Sequence, residues 1–425
     1  FWGVCAPKRL APLEPGVEPG PRDNSFAAPT LLGVGLAEGQ SQLVLNIDGP
    51  GLVLDAGTRK RLHRIGPDGS QLKCSRDGDL VVWSADGVRS EQEAIIIQPL
   101  DPAQRVSHDD KDYRGEFLVI PSPKTDGLTL VNQVGLEDYL CGVVPWEIGR
   151  HGKEKKAALA AQAVAARTYT ISHLGSRREL GFDVYASVMD QVYRGSRHED
   201  ELCNEAIEET AGLVLENDGN LVDAYYSACC GGQASDVSKV WPRQAETYLV
   251  DHLDSPGHGQ KAFCADSKYF DWSERWTAGR LEEILQETLP AYLSYMTKGQ
   301  RPAWARPSFT SRKPGVDAMV PGKLLDLEII DYTPSGRVAQ LLVSTDAGMY
   351  HIRGDRVRWV LTPASGKPAI LRSAGFELEK IRTDGVLKEI SVRGRGFGHG
   401  IGLCQTGALE MAAQGYSAAE ILSHY

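Results

Sequence analysis

The sequence predicts an α+β fold, rich in strands around a packed alanine-rich helix, with two domains flanking a cleft. Three observations carry this. Strands and helices come in separate runs rather than in strict alternation. From Pro29 to Leu100 short apolar runs are split by Gly and Asp turns, as in LVLNIDGPGLVLDAG, IGPDGSQL, DGDLVVWSADG and AIIIQPL. Lys153 to His173 holds no Pro or Gly and is rich in alanine, so its helix propensity is high.

Residues 1–30 hold six prolines and no periodicity, which reads as an extended tail or linker. Residues 31–110 read as a small β-rich unit. Strands continue in YRGEFLVIP and LTLVNQV, with a turn at SPKTDG between them. Leu136 to Val144 leads into Pro145. The residue before a proline is pushed out of the α region, so this stretch reads as a strand that ends there.

In the helix Lys153–His173, Ala157, Ala161, Val164, Thr168 and Ile171 recur at helical spacing and form a buried stripe. Further helices are expected at His198–Ala211, Arg280–Tyr295 and Gln405–Gln414. Another starts at Ser417, where Ser417-Ala-Ala-Glu420 fits a capping box. Strands are expected in LEIIDYTPSGRVAQLLVSTDAGMYHI, and no internal repeat is present.

The 425 residues allow two or three domains. With 42% hydrophobic and 24% charged residues the chain is globular rather than disordered. A net charge of −10 argues against a nucleic-acid partner, which needs a clustered basic face. No run of about 18 apolar residues exists to span a bilayer. The chain opens at Phe1 rather than Met, so a signal peptide or a membrane anchor is expected to precede it. Eight cysteines are scattered with no C-x-x-C, and read as buried thiols or as one or two disulfides.

Four places carry candidate chemistry. In Val143-Val-Pro-Trp-Glu147 a carboxylate lies between the expected strand and the long helix. On position alone Glu147 reads as a cap or dipole partner. Trp146 beside it offers an apolar wall that would favour a protonated acid, as a general acid requires. On the helix, Gln162 and Tyr169 share a face, with Arg167 and Thr168 next to it. Arg167 could satisfy a buried partner or steer a polar substrate, and spacing does not separate the two. Asp190-Gln191-Val-Tyr193-Arg-Gly reads as a turn. Tyr225-Tyr-Ser227-Ala-Cys-Cys-Gly-Gly reads as a tight turn with buried thiols, because no second Cys or His lies at ligand spacing. In Arg393-Gly-Arg-Gly-Phe-Gly-His399-Gly-Ile-Gly the alternating glycines imply backbone packed very close to something, with a structural histidine on it. No dinucleotide unit surrounds them.

Together LEDYLCGVVPWEIG (136–149), KAALAAQAVAARTYTISH (156–173), DQVYRG (190–195), EAIEETAGLVLENDGNLVDAYYSACCGG (205–232) and RGFGHGIGLCQTGALEMAAQGYSAAEILSHY (395–425) resemble the stage II sporulation protein D / amidase-enhancer family of bacterial cell-wall proteins. The resemblance is strong over about 113–250 and 390–425, weaker over 260–385 and thin before 110. It implies a family core over 111–425, in which 111–255 and 386–425 form the catalytic cleft and 256–385 a second β-containing subdomain.

The resemblance further implies an extracytoplasmic lytic transglycosylase that cuts peptidoglycan glycan strands, preferring denuded ones. Some relatives instead stimulate a cell-wall amidase. The family's catalytic glutamate falls on Glu147, which reverses the cap reading. Trp146, Gln162, Arg167, Thr168, Tyr169, Gln191, Tyr193, Ser227, His399 and Gln405 would line or shape the cleft. Some members bind zinc through a His-Cys pair before Gln-Val-Tyr and a His-Ser-x-Cys-Gly-Gly motif. Here these places read Met189-Asp190 and Ser227-Ala-Cys-Cys230, so no metal or other cofactor is expected, and Asp190 and Ser227 are expected to make a metal-free polar contact.

Glu147 would donate a proton to the glycosidic oxygen between N-acetylmuramic acid and N-acetylglucosamine. It would then take the proton of the muramic C6 hydroxyl, closing a 1,6-anhydro ring. Two rivals stand beside this: a non-catalytic glycan-binding activator of an amidase, and a two-carboxylate hydrolase using Asp138 or Asp190.

Overall fold

The structure, a computed structural model, describes residues 9–12, 14–15, 27–28, 31–297, 308–311, 315, 317–367 and 369–425. It is α+β, with sheets and helices in separate runs. Residues 8–224 form one compact unit, with 417–419 grouped to it, and residues 225–416 and 420–425 form another.

Two sheets build the first unit. The seven-stranded sheet runs in the order Val184–Tyr185, Leu32–Gln40, Leu128–Val134, Glu116–Pro121, Ile95–Pro99, Gly51–Asp55, Arg61–Ile65. All its pairings are antiparallel except the first. The six-stranded sheet runs Val88–Gln92, Leu80–Ala85, Ser70–Asp77, Gln42–Ile47, Val106–His108, Lys111–Tyr113. Alternation decides which face is buried: in Gln42–Ile47, Leu43, Leu45 and Ile47 point inward. Strands from both sides of residue 110 share both sheets. A small β-rich unit confined to 31–110 is therefore not what the pairing shows.

The proline-rich start is mostly outside the described residues. Its described part is not simply extended tail: Arg9–Pro12 pairs antiparallel with Leu213–Glu216. Cys5 lies outside the described residues.

The stretch expected as a strand before Pro145 is helix α1, Leu136–Glu147. Leu136, Tyr139, Leu140 and Val143 recur at 3.6-residue spacing and are buried. That period outweighs the β preference of Val143-Val144 and the constraint before Pro145. Helix α2, Lys156–Ser172, follows a single 3₁₀ turn at Lys153–Lys155. Ala158 to Ile171 are all buried, so α2 is enclosed on every side and does not show one stripe. Helix α3, Glu201–Glu209, is capped by Asp200, whose side chain accepts from Cys203 N–H.

The second unit contains α4 (Val237–Val240), α5 (Ala278–Thr297), α6 (Val357–Val360), α7 (Gln405–Ala413) and most of α8 (Ala418–His424). A three-stranded sheet runs Asp271–Thr277, Val386–Arg395, Phe376–Thr383, and a four-stranded one Ser308–Ser311, Gly348–Arg353, Val338–Thr345, Leu324–Tyr332. Both sheets and α5 share a core around Trp276, Leu285, Leu341, Tyr350 and Ile390.

The glycine run has a direct physical cause. A Cβ at Gly396 would sit 2.7 Å from the Cys229 carbonyl oxygen, and one at Gly398 would sit 2.6 Å from Ser227 Cβ. Both glycines hold positive φ, +82° and +111°. Side chains there would push the glycine-rich strand off the 225–230 segment.

Candidate active site at the end of helix α1

Glu147 is the last residue of α1 and half-buried. It does not stand at a helix N-terminus. Its Oε1 accepts a 2.6 Å hydrogen bond from Val192 N–H. The segment 190–195 reaches it because Gly142 has no side chain: a Cβ there would lie 2.5 Å from the Tyr193 ring and 2.9 Å from Gly195 O. Gly142 O also accepts from Arg194 N–H at 3.4 Å.

Behind the carboxylate lies Tyr139, fully buried on α1. Burial, and then the Glu147 charge, push its phenol well above the usual tyrosine range. It stays a donor, and gives its hydrogen bond to Gln191 Oε1 at 3.1 Å. Gln191 Oε1 also accepts from Thr170 Oγ1 at 2.7 Å, and its amide nitrogen donates to Ala166 O. Tyr193 packs its ring 4.9 Å from that of Tyr139 and donates to Asn132 Oδ1 at 2.8 Å.

The other predicted residues divide sharply. Trp146 is 40% exposed. Its ring meets His198 edge-on at 5.4 Å, and the Arg194 guanidinium lies over it at 5.4 Å. It is thus a part-exposed aromatic ring next to Glu147 in the chain, with Arg194 over it. Arg167, by contrast, is 0% exposed. Its Nε and Nη2 grip Glu137 at 2.8 and 2.6 Å, and it donates to the carbonyls of Leu213 and Ile207. Thr168 donates to Val164 O and accepts from Leu215 N–H. Gln162 is wholly buried too. Arg167 and Thr168 tie α2 into the unit. The polar residues of that helix that looked like cleft lining are largely its internal fastenings.

Tyr169 donates to Asp190 Oδ1 at 3.2 Å and stacks on His173 at 4.0 Å. Asp190 also accepts from Arg177 and from Tyr185 N–H. Ser227, expected to meet Asp190, has a buried Oγ without a hydrogen-bond partner among the described residues. Asp138 pairs with Arg114 at 3.0 Å and lies nine residues before Glu147 on α1, roughly 13 Å along the axis. Sequence reasoning missed Tyr139, Gly142 and Val192; the helical period of Leu136–Val143 was the signal that would have placed the first two, and no local signal points to the Val192 N–H.

In the second unit, His399 Nδ1 accepts from Ile401 N–H at 3.0 Å, and its ring packs 4.9 Å from Trp241. Burial, aided by the Arg358 and Arg337 charges, lowers its pKa to about 4. It is neutral at pH 7 and holds the glycine-rich segment in place. Gln405 opens α7 and is buried. The Cys229-Cys230 turn is not alone: Cys264 and Cys404, distant in sequence, join Cys230 in space.

The zinc pattern of some family members does not fit this chain. Met189 is 64% exposed and Asp190 is committed to Arg177, Tyr169 and Tyr185.

Residues 124–216 match the family described as Stage II sporulation protein. Residues 310–402 match a Domain of unknown function (DUF8618). An uncharacterised protein of Brachyspira hyodysenteriae is 27% identical over 315 residues, covering 74% of this chain and 70% of that one. The amidase enhancer of Bacillus subtilis is 26% identical over 355 residues, 80% of this chain but 47% of its own length. Stage II sporulation protein D of Bacillus amyloliquefaciens is 26% identical over 347 residues, 76% of this chain and 84% of its own. The matched segment 124–216 contains Glu147, its Val192 donor and the whole of α2. Residues 124–216 thus resemble a stage II sporulation protein domain, and most of the chain is similar to proteins named stage II sporulation protein D and amidase enhancer.

Proposed function

We propose that this chain is a peptidoglycan lytic transglycosylase acting outside the cytoplasm, with Glu147 as its single catalytic acid and base. The observation that carries the reading is a half-buried carboxylate whose Oε1 accepts from a backbone N–H, next in the chain to a part-exposed tryptophan. The Val192 N–H fixes the direction of the carboxyl group at the C-terminal end of α1.

The protonated carboxyl gives its proton to the glycosidic oxygen as the C1–O bond breaks. The muramic C6 hydroxyl then attacks C1, and its proton returns to the carboxylate. The cycle closes on a 1,6-anhydro end, with no water consumed and Glu147 protonated again. Trp146 offers a sugar ring its face. Gln191 and Tyr193, on either side of the Val192 donor and packed on Tyr139, support the acid from behind.

Asp138 is a poor second carboxylate, since two-carboxylate glycosidases space theirs at about 5–9.5 Å. A glycan-binding activator of a cell-wall amidase is the second reading; it draws on the similarity to a protein named amidase enhancer. Mass spectrometry of denuded glycan strands incubated with the chain separates them. Anhydro-muramic ends that vanish with Glu147→Gln support the proposal; strands that bind but stay intact would overturn it in favour of the activator.

A further inference from the structure

Four side chains far apart in sequence converge inside the second unit. Cys230 comes from the turn before Gly231-Gly232, Asp254 and Cys264 flank one loop, and Cys404 precedes α7. All four are buried, and one ligand atom of each, three sulfurs and a carboxylate oxygen, lie within 4.8 Å of one another.

The spacing discriminates between fates. Cys230 Sγ and Cys264 Sγ are 3.7 Å apart. A disulfide needs about 2.05 Å. A tetrahedral zinc with Zn–S bonds of about 2.3 Å holds its sulfurs roughly 3.8 Å apart. The envelope is too tight for an iron–sulfur cluster, whose bridging sulfides spread the ligating cysteines.

The surroundings are built for negative charge. Cys230 N–H donates to Cys404 Sγ at 3.2 Å. Asp254 Oδ1 accepts from Tyr425 O–H at 2.5 Å, and Oδ2 from Cys264 N–H at 3.1 Å, which fixes its orientation as outer-shell partners of metal ligands do. Arg337 is buried; Nη2 donates to Cys230 O at 2.8 Å and Nε to Ser235 Oγ at 2.8 Å. Its Nη1 is buried with no hydrogen-bond partner among the described residues. Three thiolates and a carboxylate around a divalent cation leave net negative charge, and Arg337 is the buried cation beside it.

We propose that Cys230, Asp254, Cys264 and Cys404 form a closed, structural zinc site. It shares only Cys230 with the zinc pattern of some family members. The metal clamps the Cys-Gly-Gly turn, the 254–264 loop and the start of α7 together, with Tyr425 locked onto the Asp254 ligand. All four positions are filled by protein, so the ion serves the fold and not the reaction. Cys229, whose thiol neighbours Cys264 and Cys404, stays outside the ligand set.

The test uses the full chain, reduced, incubated with zinc and freed of excess by gel filtration. One zinc per chain by elemental mass spectrometry is expected, together with a Tm that a strong chelator lowers by more than about 5 °C. Cobalt substitution gives thiolate-to-metal charge-transfer absorption of an intensity that counts three sulfurs. Cys264→Ser and Cys404→Ser lose the zinc, while Cys229→Ser keeps it. No bound zinc on the wild-type chain overturns the proposal. So does an intensity that counts four sulfurs, or loss of zinc in Cys229→Ser. If the serine variants fail to fold, the wild-type stoichiometry and sulfur count still decide.

Discussion

The Glu147 region and the thiol cluster are built in opposite ways. Glu147, Tyr139, Gly142 and Val192 come from residues 136–193, inside one family-matched segment. Cys230, Asp254, Cys264 and Cys404 span 174 positions. The first is assembled by a helix and one loop laid across its glycine. The second exists only when three distant segments close. A site of the first kind leaves a motif in the sequence; one of the second leaves scattered cysteines.

If the Glu147 region depends on local geometry, its variants should lose activity while keeping the fold. Glu147→Gln is expected to cut anhydro-product formation by about 10²–10⁴-fold, the range for a lost general acid, with an unchanged circular dichroism spectrum. A drop below tenfold would shift catalysis to another residue.

The fastening of α2 is predicted to behave differently. Glu137→Gln strands the Arg167 cation in the interior and should cost about 3 kcal/mol in urea unfolding, in line with broken buried pairs. If the cost stays under about 1 kcal/mol, Arg167 is not the internal tie described above. Gly142→Ala drives a methyl into the Tyr193 ring and Gly195 O. It should destabilise by about 1–3 kcal/mol and lower kcat by displacing Val192. Normal kcat in this variant would show that the Val192 hydrogen bond does not position the acid.

In the second unit the pH response sharpens the contrast. The folded pKa of His399 is depressed to about 4 from an ordinary 6.5. The folded state thus binds fewer protons there than the unfolded state, and stability is fully present above pH 6.5. It should fall as pH drops from about 6.5 towards 4. His399→Gln should flatten that part of the stability profile; an unaltered slope would mean the ring is solvated. Smallest is Trp146→Ala, which should leave stability within about 0.5 kcal/mol and weaken binding of glycan strands by roughly tenfold. Unchanged binding would remove the tryptophan from the sugar-facing role.

Much of the fold was legible. The strands Glu116–Pro121, Leu128–Val134 and Leu324–Arg353, and helices α2, α3, α5 and α7, sit where periodicity and turn residues put them. Helix α1 was not read, because a local rule about the residue before proline was given more weight than the period of Leu136, Tyr139, Leu140 and Val143. Arg167 shows the second kind of loss. Its chemistry suits a sugar as well as a carboxylate, and only the fold reveals that Glu137 already holds it.

By itself, the sequence determined the α+β class, the alanine-rich helix and the place of Glu147 in its motif, because propensity, alternation and short motifs are written in neighbouring residues. Tertiary structure alone decided which polar side chains of α2 face inward, why every second residue near His399 is glycine, and that Cys230, Cys264 and Cys404 meet at Asp254. Those outcomes depend on contacts between segments more than a hundred residues apart in places, and no local spacing encodes such a distance.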